Sequence, residues 1–236
     1  MSVQHRHSFS DDCLTCTLKH DSDFCNLPQD PITRLSEIGH ISLFPADAVL
    51  IAEGQIPRGV FVICSGRAKL SLVTRDSKTV ILKIAGERQV MGLSAVISGR
   101  PSPVTVTTVE PCQVKFVDQQ SFLALIHEMG LALSCAQQLG REVQSAFLDV
   151  YELLLARSST EKLARLLLSW VAQDDAGNFD VRLASDFTHE EMAQMIGSSR
   201  ETVTRLLSDM KRRELIRMDG STLVIPDRIA LQAIAA

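Results

Sequence analysis

The stretch GSSRETVTRLLSDMKRRELI, residues 197–216, decides how the chain is read. Gly197 stands where one helix must stop, in the left-handed conformation that glycine adopts most cheaply. Ser198-Ser199-Arg200-Glu201 then has the pattern of a capping box that opens a second helix. In that helix Val203 and Leu206 or Leu207 fall on one face, and Arg200, Glu201, Thr204 and Arg205 fall on the other. Upstream, Thr188-His189-Glu190-Glu191 is another capping box. It opens the short helix EEMAQMIG, in which Ala193 and Ile196 share a face. A short helix, a glycine turn and a capped second helix are the spacing of a helix-turn-helix. Downstream, Asp219-Gly220 separates two short β-prone runs and reads as a hairpin, the wing of a winged helix. The outward residues suit a DNA major groove. Arginine can fork onto guanine, glutamate can accept from the cytosine amine, and threonine can meet a base or a phosphate. The helix start at Ser199 can hold a phosphate.

Toward the N-terminus, Ser158-Ser159-Thr160-Glu161 is a third capping box, before the helix EKLARLLLSWVAQ. Residues 157–159 are therefore a candidate hinge. DDAGN at 174–178 is a turn, and Phe179, Val181 and Leu183 suggest a short strand. The competing reading of the last third, a helical hairpin with a solvated charged face, does not explain three capping boxes plus a wing.

Between 120 and 156 the apolar period is 3.6, which predicts one long helix. Its stripe runs through Leu125, Met129, Ala132 or Leu133, Leu139 or Ala136, Val143, Phe147, Val150 and Leu154, and a helix of that length suits a dimer spine. The alternative is a core helix packed only on its own domain. Before it, from about residue 43 to 118, short apolar runs are punctuated by Gly54, Gly59, Gly66, Gly86, Gly92 and Gly99. Ala68, Leu70 and Leu72 mark one strand face. Val80, Leu82 and Ile84 mark another, as do Val104 with Val106 and Val114 with Phe116. This pattern predicts an antiparallel barrel or jelly-roll. A short helix is expected within 32–41. The resulting division is a cysteine-bearing segment 1–30, a β-roll 31–118, a dimerisation helix 119–156 and a winged helix-turn-helix 157–236, an α+β chain.

The composition fits this division. With 45% hydrophobic and 22% charged residues a packed core is expected, built from Leu, Ile, Val and Met because there is one Trp and one Tyr. No run approaches the roughly 18 apolar residues of a membrane span, and the start MSVQHRHSFSDDC is not a secretory signal, so a cytoplasmic protein is expected. The net charge of −4 argues against a generic nucleic-acid coat. Acids gather early, at Asp11, Asp12, Asp21, Asp23 and Asp30, and bases late, at Arg200, Arg205, Lys211, Arg212, Arg213 and Arg217. A DNA reader needs only such a local basic patch. No G-x-S-x-G, P-loop or H-E-x-x-H occurs, so no enzyme is expected.

Six cysteines lie at 13, 16, 25, 64, 112 and 135. Cys13 and Cys16 form a C-x2-C pair, and Cys25 follows after eight intervening residues. Thiolates this close suit zinc or an iron–sulfur cluster, with a distant fourth ligand, and direct thiol or disulfide redox sensing is the other option. Cys64 and Cys135 read as buried core cysteines, with Cys135 a spare ligand.

The residues 197–216 closely resemble the recognition-helix signature of the CRP/FNR superfamily of regulators, and the resemblance extends over roughly 30–230 in that family's domain order. It implies a cyclic-nucleotide-binding-like β-roll, a dimerising helix and a winged helix-turn-helix. It also implies a homodimer on palindromic double-stranded DNA, with RNA polymerase a further partner of an activator. Arg200, Glu201 and Arg205 would read bases, and Thr204-Arg205 stands where the oxygen-sensing branch has a Ser-Arg pair. The family's nucleotide pocket uses a Glu for the ribose and an Arg for the phosphate. Here Met91 and Ser102 stand at those positions, with Arg100 and Glu87 nearby, so no cyclic-nucleotide site is expected. The oxygen-sensing branch holds a [4Fe-4S] cluster on three N-terminal cysteines and one from the roll. Cys112, in EPCQV, matches the fourth, and the ligand set implied is Cys13, Cys16, Cys25 and Cys112, responsive to oxygen or nitric oxide. Asp149 lies near where such relatives carry an interface aspartate. It would weaken the apo dimer by repulsion, or else it faces solvent. Haem is the other family option, but none of the six histidines stands out. The reading of a different class is a β-roll module that mainly binds protein.

Overall fold

The structure is a computed structural model that describes residues 25, 27–156, 158–171, 181–184, 187–219 and 222–235. The chain divides into two compact units. One is 1–78 with 82–144, and the other is 145–236 with 79–81. The division falls inside a helix, later than the expected boundary at 119.

The first unit begins with α1 (Gln29–Ile38), three residues ahead of the expected short helix. Then follow β1 (His40–Phe44), β2 (Val49–Ile51), β3 (Gly59–Ser65), β4 (Ala68–Val73), β5 (Thr79–Ala85), β6 (Val90–Met91), the short α2 (Leu93–Ser98), β7 (Thr105–Thr108) and β8 (Cys112–Asp118). They form two four-stranded sheets, β1-β8-β3-β6 and β2-β7-β4-β5, and the registers recorded within them are antiparallel. This is the β-roll expected from the glycine-punctuated strands. Alternation along β3 feeds two cores. Ile63 joins Ile51, Ala68, Ala85, Met91 and Val106 between the sheets, while Val60 and Val62 pack outward with Leu35, Val117, Phe122 and Leu125. One expected face is reversed. On β5 the buried residues are Ile81 and Ala85, and Leu82 is 48% exposed. Apolar residues occupy both parities of that strand, so the local pattern did not choose a face; packing did.

The single helix expected over 120–156 is two helices, α3 (Gln119–Glu128) and α4 (Ala132–Leu155). Gly130 separates them at φ 66°, and the Met129 and Leu131 amides donate back to Leu125 O and Ile126 O. This is a glycine helix stop that the continuous apolar stripe concealed. It reassigns the stripe. Leu125 and Phe122 are buried on the roll, so that part of the stripe is not available to a spine.

The second unit holds α5 (Ser159–Val171), β9 (Val181–Ala184), α6 (His189–Ile196), α7 (Arg200–Arg212), β10 (Arg217–Asp219), β11 (Thr222–Ile225) and α8 (Arg228–Ala235). The strands form a three-stranded antiparallel sheet, β10-β11-β9, the expected wing plus the short strand near 181. Its core is Leu163, Leu167, Met192, Ile196, Val203, Leu207, Met210, Ile216 and Leu223 with their neighbours.

Candidate nucleic-acid interface

Local hydrogen bonds set the two helices of the interface. Thr188 Oγ1 accepts the Glu191 amide at 3.2 Å, and the Glu191 carboxylate accepts the Thr188 amide at 3.0 Å, a complete capping box on α6. Gly197 closes α6 at φ 63°. The cap of α7 differs from expectation. Ser199, not Ser198, is the N-cap, and its hydroxyl accepts the Thr202 amide at 3.2 Å. Thr202, not Glu201, therefore occupies the third helical position, so the pattern read from sequence is not a capping box. On α5, Ser158 Oγ accepts the Glu161 amide at 3.2 Å.

With those ends set, the inner face of α7 is buried through Val203, Leu206, Leu207 and Met210. The opposite face carries Arg200, Glu201, Thr204 and Arg205, all exposed. These four and Ser208 line one shallow concavity of about 360 Å³. The structure thus places the four residues expected from sequence to read bases on one surface, with Ser208 beside them. Hydrogen bonds to its own amide and to the Ser199 hydroxyl hold the Glu201 carboxyl below its ordinary range, keeping it an acceptor. Arg212 and Arg213 pair with Asp209 at the far end of the helix.

His189 is a component that sequence reasoning did not find. Its Nδ1 lies 2.9 Å from Thr204 Oγ1, while Thr204 Oγ1 donates to Arg200 O at 2.9 Å. With its proton on Arg200 O, the hydroxyl accepts from His189 Nδ1–H. Fifteen residues separate the pair, and only the assembled helix-turn-helix brings them together.

The other expected sites are less gathered. Cys13 and Cys16 lie outside the described residues. Cys25 is half-buried against the outer roll core that includes Cys135. Cys112 is buried, with its Sγ 3.2 Å from both Arg67 O and Glu110 O, and burial pushes its thiol pKa up. Burial alone pushes the Cys135 thiol up to about 11. Cys64, expected to be buried, is half-buried. Among the described residues, no three His, Cys, Asp or Glu side chains gather where they could hold a metal ion. Met91 fills the inner roll core. The buried Ser102 donates to Val104 O at 2.7 Å and is tied by its backbone to Gln55 and Gly54. Both serve the packing of the roll, and Arg100 is exposed.

Of the expected dimer residues, Leu133 is 69% and Phe147 71% exposed, and Val143 and Met129 are also exposed. The side chains of Asp149, Val150 and Leu154 lie outside the described ones. No helix among the described residues is long and apolar enough to cross a membrane.

Comparison with known proteins agrees with this architecture. Residues 42–129 match the cyclic nucleotide-binding domain and residues 161–234 the Crp-like helix-turn-helix domain. The chain is 25% identical over 196 residues to the CRP-like cAMP-activated global transcriptional regulator of Mycobacterium tuberculosis, covering 80% of this chain and 86% of that one. In structure it is similar to FixK2 of Bradyrhizobium japonicum, with a TM-score of 0.72, 20% identity, and coverage of 84% and 98%. It is also similar to the c-di-GMP responsive regulator CLP of Xanthomonas campestris, with a TM-score of 0.69, 19% identity, and coverage of 83% and 98%. At these identities the structural likeness is one of fold, and the names of these relatives carry different effectors.

Proposed function

We propose that the chain is a DNA-binding transcription regulator of the CRP/FNR superfamily, whose two domains it matches in order, and that it binds a palindromic DNA site as a homodimer, with α7 in the major groove. The observation that carries this reading is the exposed group Arg200, Glu201, Thr204 and Arg205 on a capped helix whose other face is buried. Two such helices about one turn of DNA apart would read two half-sites. The exposed Leu133, Val143 and Phe147 of α4 support a dimer, because a lone helix gains nothing by presenting them to water. The test is selection of bound duplexes from a random pool, followed by anisotropy titration of the selected site and a scrambled one, with mass by sedimentation. A two-fold-symmetric consensus bound by two chains is expected. Equal, purely salt-dependent affinity for both duplexes would overturn the proposal.

For the signal, a [4Fe-4S] cluster held by Cys13, Cys16, Cys25 and Cys112 is the first reading, supported by three cysteines within thirteen residues. Bound there, it would supply sensitivity to oxygen or nitric oxide. The placement of Cys112 favours the second reading, a regulator without a cluster that senses by thiol redox, zinc, haem or a small effector in the β-roll. Its sulfur faces two carbonyls as a protonated thiol does, and ligation would have to break both contacts. An absorbance spectrum with iron and sulfide analysis on anaerobically purified protein separates them. A broad band near ~400 nm with close to four irons per chain supports the first. An iron-free protein after reconstitution leaves the second.

A further inference from the structure

Among the described residues, a buried ammonium in the β-roll makes no ion pair. Lys115, in β8, is 1% exposed. Its Nζ donates to Ser36 O in the last turn of α1 at 3.4 Å. That long contact suits the negative end of a helix but uses one of three donors. The one α1 carboxylate close by in sequence, Glu37, pairs with Arg34 at 3.0 Å. Two residues earlier on the same strand face, Gln113 is 5% exposed and lines the same cleft. A buried ammonium with one long hydrogen bond costs folding free energy unless something polar meets its remaining donors.

Both side chains open onto one cleft of about 610 Å³ between α1 and β1, completed by Ser36, Gly39, His40, Ile41 and Leu43. The size is that of a small-molecule site. The lysine is held in place. A Cβ on Gly39 would lie 2.6 Å from Lys115 Cδ and 2.7 Å from Cγ, so the stem runs directly beneath that glycine. The cleft is on the outer face of the roll. Lys115 shares its strand face with Val117 of the outer core, away from Met91 and Ile63 between the sheets. It is therefore separate from the interior where Met91 and Ser102 stand.

We propose that this cleft binds a small molecule bearing an oxyanion, a carboxylate or a phosphate. The oxyanion takes the free N–H groups of Lys115, and the Gln113 carboxamide binds an adjacent polar atom. His40 lies at the mouth, and Ile41 and Leu43 cover the ligand's carbon skeleton. The α1 carbonyls repel an anion, so the ligand approaches from the β1–β8 side of the ammonium. The site is independent of the DNA-binding reading.

The test uses the full chain without DNA, in chloride buffer at constant ionic strength. Succinate and inorganic phosphate are titrated separately, and the Lys115 side-chain resonances and thermal unfolding are followed. Saturable binding of at least one anion is expected, with the Lys115 resonances moving. Preference for succinate identifies a carboxylate ligand, and preference for phosphate a phosphorylated one. Lys115→Met, which keeps the stem beneath Gly39, and Gln113→Leu should each weaken binding at least about tenfold. If Lys115→Met does not fold, Gln113→Leu and the resonance shifts decide. No saturable response to either anion, or undiminished affinity in the variants, overturns the proposal.

Discussion

The β-roll and the helix-turn-helix place their functional side chains by opposite means. In the helix-turn-helix the devices are local. Thr188 caps through a residue three positions on, as Ser199 does, and Gly197 turns the chain between them. In the roll the devices are long-range. Lys115 reaches Ser36 across 79 residues of chain, Thr108 reaches Pro45 across 63, and Cys112 reaches Arg67 across 45. The exposed face of α7 can thus be built by one short segment on any core that buries Val203 and Leu207. The roll's polar sites exist only when the whole sheet register is correct.

The largest effect expected from this contrast is in the roll. A Cβ on Gly59 would lie 2.1 Å from Val117 O, where β3 and β8 pair, and the contact is with backbone that cannot rotate away. Gly59→Ala should destabilise the first unit by on the order of 3–5 kcal/mol. Trp170, the single tryptophan, stacks on Phe187 at 5.0 Å and reports on the second unit alone. Far-ultraviolet melting should show an early transition while Trp170 fluorescence holds to its usual temperature. If both move together, the units do not stand apart energetically and the contrast fails.

Next in size is DNA recognition. Arg205→Ala removes a side chain able to fork onto guanine, and should cost the selected palindrome about 1–3 kcal/mol, roughly 5–150-fold in affinity. Scrambled DNA should lose much less. Equal losses on both duplexes, measured by anisotropy, would make Arg205 a phosphate contact instead.

Smaller again is the α7 cap, where neighbouring serines differ. Ser199→Ala should lower stability by about 1 kcal/mol, because the Thr202 amide loses its acceptor. Ser198→Ala should change the Trp170 transition little. The reverse order would restore the cap at Ser198 read from sequence.

That serine shows how far the sequence carried. Helix, turn, helix and wing were legible because each rests on residues within a few positions of one another, and the error at the cap was one residue. The roll was legible as a class from its glycines and alternation, but not the buried face of β5, where Ile81 and Leu82 are equally apolar. The break at Gly130 was hidden because Leu125 and Leu133 continue a helical stripe while packing in different places, one in the roll core and one exposed. The pairing of His189 with Thr204, and the cleft over Lys115, depend on tertiary placement that no local pattern encodes.

The smallest effect tests that first pairing. Thr204 Oγ1 gives its proton to Arg200 O and accepts from His189 Nδ1, so its methyl group is what remains for a base. A threonine methyl reads the thymine methyl by apolar contact. Where the selected site sets a thymine against Thr204, replacing it with uracil should therefore cost the wild type about 0.8 kcal/mol, the value of one buried methyl(ene) group. Thr204→Val keeps a methyl and should retain the thymine preference. Thr204→Ser lacks it and should bind both bases alike. His189→Ala frees the hydroxyl and should blunt the preference without removing non-specific binding. If Thr204→Val loses the preference while Thr204→Ser keeps it, the hydroxyl itself meets the DNA, and the His189 bond must break when the duplex binds.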